Sequence, residues 1–300
     1  MKNLNITLLI CLFTSLAFGQ ISTEEKNALI SIFNATNGQD WTNAWDVNTP
    51  ASEWYGVEVV DNKVIALDLS FNNLKGSIPA EIGSLKNLKH LTLFRNEVSG
   101  EIPSSIGQLT ALETINISFN KITGRIPESI GNLTNLESLE MFMNKLEGNL
   151  PASIGNLTNL TTIQLFNNHL SGNLPKEIGN LTALKSLSLS SNQFEGKLPY
   201  ALVNLKELET LSLYDNQFFG MVPRFLGQLG QLKELMLSDN LFFGQVPNEL
   251  AQLSNLEVLM LNNNELQGDL VELGTLLPNL TQFEYKNINE SKSTAVADTD

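Results

Sequence analysis

An asparagine returns every 24 residues through most of this chain, and no other feature limits its fold as strongly. Nine asparagines share the spacing without an insertion: Asn72, Asn96, Asn120, Asn144, Asn168, Asn192, Asn216, Asn240 and Asn264. The same frame surrounds each of them, as in LKHLTLFRNEVSGEIP and LKELMLSDNLFFGQVP. Self-similarity at a fixed period of this length indicates stacked structural units. We therefore predict a solenoid in which each copy of the repeat forms one coil.

The frame also predicts the path of the chain within one coil. Leu91 and Leu93 alternate with polar residues, which is typical of a strand with one buried face. The recurring asparagine follows that strand, where its amide can satisfy the backbone groups of a chain that turns inward. Prolines such as Pro103 lack a backbone donor, so we expect the return leg to be irregular rather than helical.

The frame L-x-x-L-x-L-x-x-N-x-L-x-G-x-I-P resembles the 24-residue, plant-type class of leucine-rich repeat proteins over roughly residues 50 to 285. The chain is similar to ectodomains of plant receptor kinases and to polygalacturonase-inhibiting proteins. The resemblance implies a curved right-handed coil with a parallel β-sheet on the concave face, irregular or 3-10 return legs and an N-terminal helical cap. Residues 54–57, WYGV, resemble the family's cap motif, but Ser52 and Val59 occupy its cysteine positions. This absence of the cap cysteines points to a bacterial version.

The ends of the chain differ from the repeats. Lys2 precedes a short apolar run that ends at Phe18, as in a secretory signal peptide, and the run is too short to span a bilayer. Residues 22–25, STEE, predict a helix capping box. We predict a signal peptide (1–19), an N-terminal cap (20–63), nine repeats (64–271), a partial repeat with a C-terminal cap (272–288) and a disordered tail (289–300). The mature protein would then be secreted or on the cell surface, without a transmembrane segment.

Charge and composition argue against several classes of function. The net charge of −14 repels phosphate backbones, so we expect no nucleic-acid partner. The histidines, His90 and His169, lie in different repeats, and Cys11 lies within the predicted signal peptide. No catalytic arrangement is recognisable. The sequence therefore predicts a protein that is not an enzyme and needs no cofactor.

Aromatic residues accumulate just before the asparagine in the first five repeats. If Ile163 and Leu165 point inward, strand alternation turns Phe166 outward, and the family resemblance implies that this outer face is the concave ligand-binding surface. The predicted ligand-binding residues are Phe71, Phe94, Arg95, Phe119, Glu140, Phe142, Phe166 and Tyr214. Two interpretations stay open: the rings contact a ligand, or they stack to stiffen the sheet.

Two further sets of residues are candidates for sites. Asp215 and Asp239 fall on neighbouring rungs beside Asn263, which makes them weak candidates for calcium ligands; solvated carboxylates are the stronger interpretation, and we predict no metal. Phe219 and Phe243 share a slot off the predicted strands, where other repeats carry polar residues. They indicate either a lateral protein contact or packing between coils.

These observations favour a recognition module that binds an extracellular protein, peptide or polysaccharide on its concave face. Two alternatives remain. The similarity to inhibitor proteins allows an inhibitor of an extracellular hydrolase, and Phe219 and Phe243 allow a structural or adhesive protein that acts through self-association. The sequence does not set the oligomeric state.

Overall fold

The computed structural model describes residues 20–286, so the predicted signal peptide (1–19) and tail (289–300) lie outside the described residues. Within this range the helices are α1 (Thr23–Ala35) and α2 (Leu270–Thr275). The strands are β1 (Val57–Val60), β2 (Lys63–Asp68), β3 (Lys75–Ser77), β4 (His90–Thr92), β5 (Glu97–Glu101), β6 (Thr114–Asn116), β7 (Lys121–Gly124), β8 (Ser138–Glu140), β9 (Lys145–Gly148), β10 (Thr162–Gln164), β11 (His169–Asn173), β12 (Ser186–Ser188), β13 (Gln193–Gly196), β14 (Thr210–Ser212), β15 (Gln217–Gly220), β16 (Glu234–Met236), β17 (Leu241–Gln245), β18 (Val258–Met260), β19 (Glu265–Gln267) and β20 (Gln282–Glu284). We number the coils 1 to 9 by their asparagines, from Asn72 to Asn264.

The strand of each coil joins one long sheet, which we term the concave sheet. Its eleven strands run in the order β1-β2-β4-β6-β8-β10-β12-β14-β16-β18-β20. Strands β1 and β2 form an antiparallel hairpin, and all later pairs are parallel. Ile163 pairs with Leu139 on one side and Leu187 on the other, so neighbouring coils stack one repeat apart. The predicted solenoid with a parallel sheet is therefore confirmed.

A second parallel sheet, which the sequence did not predict, runs along the side of the coils. This lateral sheet has nine strands, in the order β19-β17-β15-β13-β11-β9-β7-β5-β3. We expected an irregular leg here because its prolines lack a backbone donor. Its strands instead pair through their backbones, with Gly100 opposite Ile122 and a positive φ of 75° at Gly100. The predicted 3-10 helices follow this sheet, as in Ala152–Asn156.

The core is a continuous column of aliphatic side chains between the two sheets and the 3-10 helices. In coil 4, Leu139, Met141 and Leu146 are all fully buried. Three later coils place phenylalanine in the slot of Leu146, and these buried rings are Phe194, Phe218 and Phe242. Their ring centroids are 6.1 and 6.5 Å apart, with nearly parallel planes. Stacked burial of this kind stabilises coils that could not bury their side chains singly.

The repeated asparagines from Asn96 to Asn264 satisfy backbone groups at the turn, and each also joins two coils, which the sequence did not predict. The Asn168 side chain is buried, and its Oδ1 accepts a hydrogen bond of 3.0 Å from the backbone N–H of Leu146 in the preceding coil. Its Nδ2 donates to the carbonyls of Met141 and Leu165 at 3.0 Å. A primary amide can serve as acceptor and donor at once, so one side chain satisfies several backbone groups inside the turn.

The residue just before each asparagine adopts the left-handed α conformation. The nine residues, with φ between 51° and 57°, are Phe71, Arg95, Phe119, Met143, Asn167, Ser191, Asp215, Asp239 and Asn263. Asparagine and aspartate tolerate this region, whereas a long or aromatic side chain costs about 1 kcal/mol there. Coils 5 to 9 have small polar residues at this turn, as the cost favours. Coils 1 to 4 have large residues there despite the cost.

The N-terminal cap supplies contacts that a preceding coil would otherwise make. The capping box between Ser22 and Glu25 is formed, and Glu25 also accepts a hydrogen bond of 3.2 Å from the backbone N–H of Val64. Asn72 Oδ1 accepts a bond of 2.7 Å from the backbone N–H of Asn43, in place of the donor from an earlier coil. The cap thus covers the first coil with both apolar and polar contacts.

The C-terminal end departs from the repeat. Helix α2 replaces the 3-10 helix of the return leg, with the Asp269 side chain accepting a hydrogen bond of 2.9 Å from the backbone N–H of Glu272. We did not predict this helix, because its six residues are too few to show a helical period. Strand β20 then pairs with β18 and extends the concave sheet beyond coil 9.

We predict that Asn168→Ala lowers the free energy of unfolding by about 2–4 kcal/mol, since it leaves buried backbone groups of two coils unpaired. Urea unfolding followed by circular dichroism measures the change. The control is Asn159→Ala, which removes one exposed hydrogen bond to the Thr134 carbonyl and should cost under ~1 kcal/mol. Equal losses in both variants would contradict the bridging role of the buried amide.

We also predict that the side chain at the left-handed turn sets part of the free energy of unfolding, so that substitutions there can raise or lower it. Met143→Asn should raise the free energy of unfolding by about 1 kcal/mol, because asparagine tolerates the φ of 52° at this residue. Asn167→Met, on the next coil at a φ of 54°, should lower it by a similar amount. Thermal melts of both variants test this pair, and a stabilising Asn167→Met would refute it.

Candidate ligand-binding surface

Five of the predicted ligand-binding residues form an unbroken row of rings across coils 1 to 5, which we term the aromatic stripe: Phe71, Phe94, Phe119, Phe142 and Phe166. The first three neighbouring pairs have centroids 5.4 Å apart in edge-to-face contact. The last pair, Phe142 and Phe166, is stacked at 4.4 Å. The rings are therefore one contiguous surface rather than scattered residues.

The left-handed turn explains why the stripe draws on two adjacent slots of the repeat. Consecutive side chains of a regular strand point to opposite faces. Phe142 lies two residues before its asparagine and Phe119 only one, yet their rings touch. Because Phe119 has a φ of 54°, the backbone breaks the alternation, and side chains from both slots reach the same surface.

Arg95 lies between two rings of the stripe. Its guanidinium carbon is 5.7 Å from the centroid of Phe71 and 5.1 Å from that of Phe119, which is cation–π geometry. Among residues 20–286, Arg95 forms no salt bridge. The stripe thus carries an exposed positive charge on a chain whose net charge is −14.

Glu140 belongs to a separate polar cluster on the concave sheet. Its Oε2 accepts a hydrogen bond of 2.8 Å from Asn116 Nδ2, and its Oε1 accepts one of 3.0 Å from Ser138 Oγ. Both carboxylate oxygens therefore have partners within the protein, which fix the side chain in place. A ligand would meet Glu140 as an oriented acceptor.

Tyr214 lies apart from the aromatic stripe. It is exposed on coil 7, and the buried Ser190 occupies the corresponding slot of coil 6. No ring contact joins Tyr214 to Phe166 within the described residues. The structure thus brings together the first five aromatic residues and Arg95, but not Tyr214.

The turn geometry accounts for Asp215 and Asp239. Both occupy the left-handed slot, with φ values of 55° and 52°, where a short polar side chain is favourable. Asn263 Nδ2 donates a hydrogen bond of 2.7 Å to Asp239 Oδ1. Across residues 20–286 no group of three or more metal-ligating side chains occurs.

Ion pairs between coils line the exposed ends of the strands. Lys89 Nζ lies 2.7 Å from Glu113 Oε1, and this hydrogen bond lowers the pKa of Glu113 and raises the pKa of Lys89. Lys233 makes the same contact with Glu209 at 2.6 Å, which lowers the pKa of Glu209. Such exposed pairs contribute little to stability, so we assign them no functional role.

Phe219 and Phe243 lie on strands β15 and β17 of the lateral sheet, which corrects the prediction that they sit off the strands. Both side chains are exposed, and Phe218 and Phe242 beside them are buried. They therefore belong to a different surface from the aromatic stripe, on the second sheet.

Three exposed apolar residues close to that pair were not predicted from the sequence: Tyr200, Met221 and Leu241. A comparison of equivalent slots would have found them. The residues that precede Met221 by one, two and three repeats are Lys197, Asn173 and Asn149, all of which are polar.

Helices long and apolar enough to cross a membrane do not occur among residues 20–286. Comparison with known proteins identifies the repeat. The model of the family described as "Leucine-rich repeat region" matches residues 63–196 and 168–298, which together are more than half of the chain.

Relatives and solved structures similar to this chain include plant proteins with leucine-rich repeats. Polygalacturonase inhibitor 1 of Arabidopsis thaliana is 32% identical over 84 residues, which are 27% of this chain and 26% of the inhibitor. The crystal structure of PEPR1-AtPEP1 is 28% identical, with a TM-score of 0.80, and the match covers 89% of this chain and 42% of that one. The Arabidopsis receptor kinase HAESA, solved with the peptide hormone IDA and the co-receptor SERK1, is 30% identical, with a TM-score of 0.79 and coverage of 89% and 46%.

This chain spans less than half the length of each of these proteins, and a bacterial origin stays a prediction. The repeat in the sequence, the parallel concave sheet and the matches to known proteins all indicate the same family. The chain belongs to the leucine-rich repeat family, in its plant-type class.

Proposed function

We propose that this chain is a secreted or cell-surface recognition module that binds an extended peptide segment along the aromatic stripe. The observation that carries the proposal is the row of five contacting rings on coils 1 to 5. Rungs of a sheet lie about 4.8 Å apart, so five rungs span roughly 19 Å. An extended peptide rises about 3.3 Å per residue, so about six of its residues would lie along the stripe.

Backbone strain supports a functional role for these side chains. Phe71, Arg95, Phe119 and Met143 all occupy the left-handed slot in which asparagine, serine or aspartate serves the later coils. Each large side chain costs about 1 kcal/mol there. A sequence selected for stability alone would place asparagine in coils 1 to 4 as well.

Ring stacking can offset that cost at Phe71 and Phe119, the two rings of the stripe that lie in the left-handed slot. An aromatic pair contributes about 0.5–1.5 kcal/mol beyond its burial, but stacking leaves the outer face of the row open. Phe71, at the end of the row, is still 59% exposed. Contact with a ligand would bury this remaining apolar area, and we therefore favour binding over stiffening of the sheet.

The comparisons favour a peptide as the ligand. HAESA, whose match covers 89% of this chain and 46% of its own, was solved with a peptide hormone. Arg95, held between two rings, is placed to bind a carboxylate of such a ligand. Polygalacturonase inhibitor 1 supports inhibition of an extracellular hydrolase as a second function, over a shorter match. A protein loop or a sugar chain would use the same rings.

We predict that the triple variant Phe94→Ala/Phe142→Ala/Phe166→Ala raises the dissociation constant of the selected ligand by at least ~100-fold. Each buried aromatic contact is worth at least ~1 kcal/mol in an interface. The full chain is first screened against extracellular peptides, secreted hydrolases and cell-wall polysaccharides, and the best ligand is then titrated by calorimetry.

The control is Phe219→Ala/Phe243→Ala, which alters the lateral sheet and should leave the dissociation constant unchanged. Circular dichroism must show that both variants fold. Unchanged binding by the triple variant would refute the proposal. So would a screen without any ligand in which the triple variant only melts earlier, because the rings would then serve packing.

A separate prediction concerns Arg95. Arg95→Gln should weaken binding of a ligand with a free carboxylate by about 10-fold, since it removes a charge-assisted hydrogen bond. The same peptide with its carboxylates amidated should bind both proteins equally. Equal loss for both peptides would show that Arg95 acts by packing between the rings rather than by its charge.

A further inference from the structure

A second apolar surface lies on the lateral sheet and the adjoining return leg of coils 6 to 8, away from the aromatic stripe. We term it the lateral patch, and it consists of Tyr200, Phe219, Met221, Leu241 and Phe243. Tyr200 is 71%, Met221 67% and Leu241 56% exposed, and exposed apolar side chains that gather in one place are informative where single ones are not. No part of the proposed peptide site uses them.

The patch is contiguous. Phe219 pairs directly with Leu241 across strands β15 and β17. Leu241 and Phe243 alternate with the buried Phe242, so both face outward from the same strand. The Met221 side chain lies against Gly244 of the next coil, which places it beside Phe243.

A groove continues the patch towards the 3-10 helices. Its volume is about 740 Å³, and both Tyr200 and Met221 line it. Tyr200 stands edge-on to Phe225, with ring centroids 5.4 Å apart. A ridge of rings on the sheet therefore lies next to a groove with an aromatic wall.

Other coils keep the same slots polar. Thr123 precedes Phe219 by four repeats, Lys145 precedes Leu241 by four, and Asn149 precedes Met221 by three. The fold thus has no need of apolar residues at these positions. Their concentration on adjacent coils requires an explanation outside the packing of the solenoid.

The exposed area approaches what a protein interface requires. At about 200 Å² for a large side chain, the five residues leave roughly 550 Å² exposed. A stable interface buries about 800 Å² on each partner, with an apolar core rich in aromatic residues, methionine and arginine. The patch has the size and composition of such a core, and a polar rim would complete it.

The rim carries charges of both signs. Lys197 and Arg224 line the groove, and Arg224 lies 3.7 Å from Glu249. Glu195 occupies the slot of Phe219 one coil earlier, and Glu265 pairs with Phe243 across the sheet. Locally the charges nearly balance, although the whole chain carries −14. Two copies of the chain therefore repel each other through their net charge, and the rim of the patch adds little to that repulsion.

We propose that the lateral patch is the contact surface between two copies of this chain. In a two-fold contact the same patch meets itself, so the ridge of one copy fits the groove of the other. The mixed rim lets the basic groups of one copy approach the acidic groups of the other. Because the remaining charge is repulsive, added salt should strengthen this dimer. Added salt would instead weaken the binding of a basic partner, whose attraction to the acidic chain it screens.

Sedimentation velocity of the full chain over a range of concentrations tests the proposal, at low and high salt. The variant is Phe219→Thr/Met221→Asn/Leu241→Lys/Phe243→Thr, which takes each new residue from an equivalent slot of another coil and should therefore fold. The control is Lys145→Gln/Glu147→Thr, which changes equivalent slots of coil 4. Circular dichroism and thermal melting verify that the wild type, the variant and the control are all folded.

We expect the wild type and the control to approach twice the mass of one chain as concentration rises. The variant should dissociate at least ~100-fold more readily. A wild type that stays monomeric at every concentration and salt overturns the proposal and assigns the patch to a different partner. A variant that dimerises as well as the wild type overturns it too. Neither result bears on the peptide site, which is tested by ligand binding.

Discussion

The asparagine amide that joins successive coils is the interaction on which the rest of this structure depends. A chain that turns into its own core every 24 residues must satisfy buried backbone donors and acceptors without water. Asn144 shows the solution: it accepts from the backbone N–H of Ile122 and donates to the carbonyl of Ile117, both at 3.0 Å. An aspartate at this position would lack the N–H donor, and a serine side chain would be too short to reach both partners. The amide therefore fixes the register of neighbouring coils, and an insertion between coils would displace it from its partners.

At the left-handed residue beside that asparagine, the side chain can vary from coil to coil while the backbone hydrogen bonds stay the same. The N–H of Phe119 still donates to the carbonyl of Phe142 at 3.0 Å, and the same bond recurs between Asp215 and Ser238 at 3.1 Å. The ladder is therefore the same under a phenylalanine and under an aspartate. Side chains in this slot can change with little effect on the backbone hydrogen bonds, apart from the strain of a large residue. Such a design suits a protein whose surface must vary while its core does not.

The features set by the side-chain period were predictable from the sequence, and those set by the backbone alone were not. The leucine alternation predicts strands with one buried face, and the asparagine predicts an amide that satisfies backbone groups at the turn, because burial and hydrogen bonding leave few other arrangements. The lateral sheet forms through main-chain pairing at residues such as Gly100, for which side chains give no signal. The left-handed slot was visible in Asn167 and Asp215 but hidden by Phe71 and Phe119. Phe71 is exposed and Phe119 is half-buried, and strand alternation alone does not explain how both slots reach one face.

The two apolar surfaces lie on different sides of the solenoid and on different coils, and this separation has a consequence for binding. The aromatic stripe lies in the turns that follow the concave-sheet strands of coils 1 to 5, and the lateral patch lies on the lateral sheet and the adjoining return leg of coils 6 to 8. A dimer through the patch would leave both stripes uncovered. Two stripes held in one assembly would bind a surface that displays many ligands with an avidity set by their effective concentration. Each stripe could then bind its peptide weakly, as a row of partly exposed rings would, while the assembly remained attached.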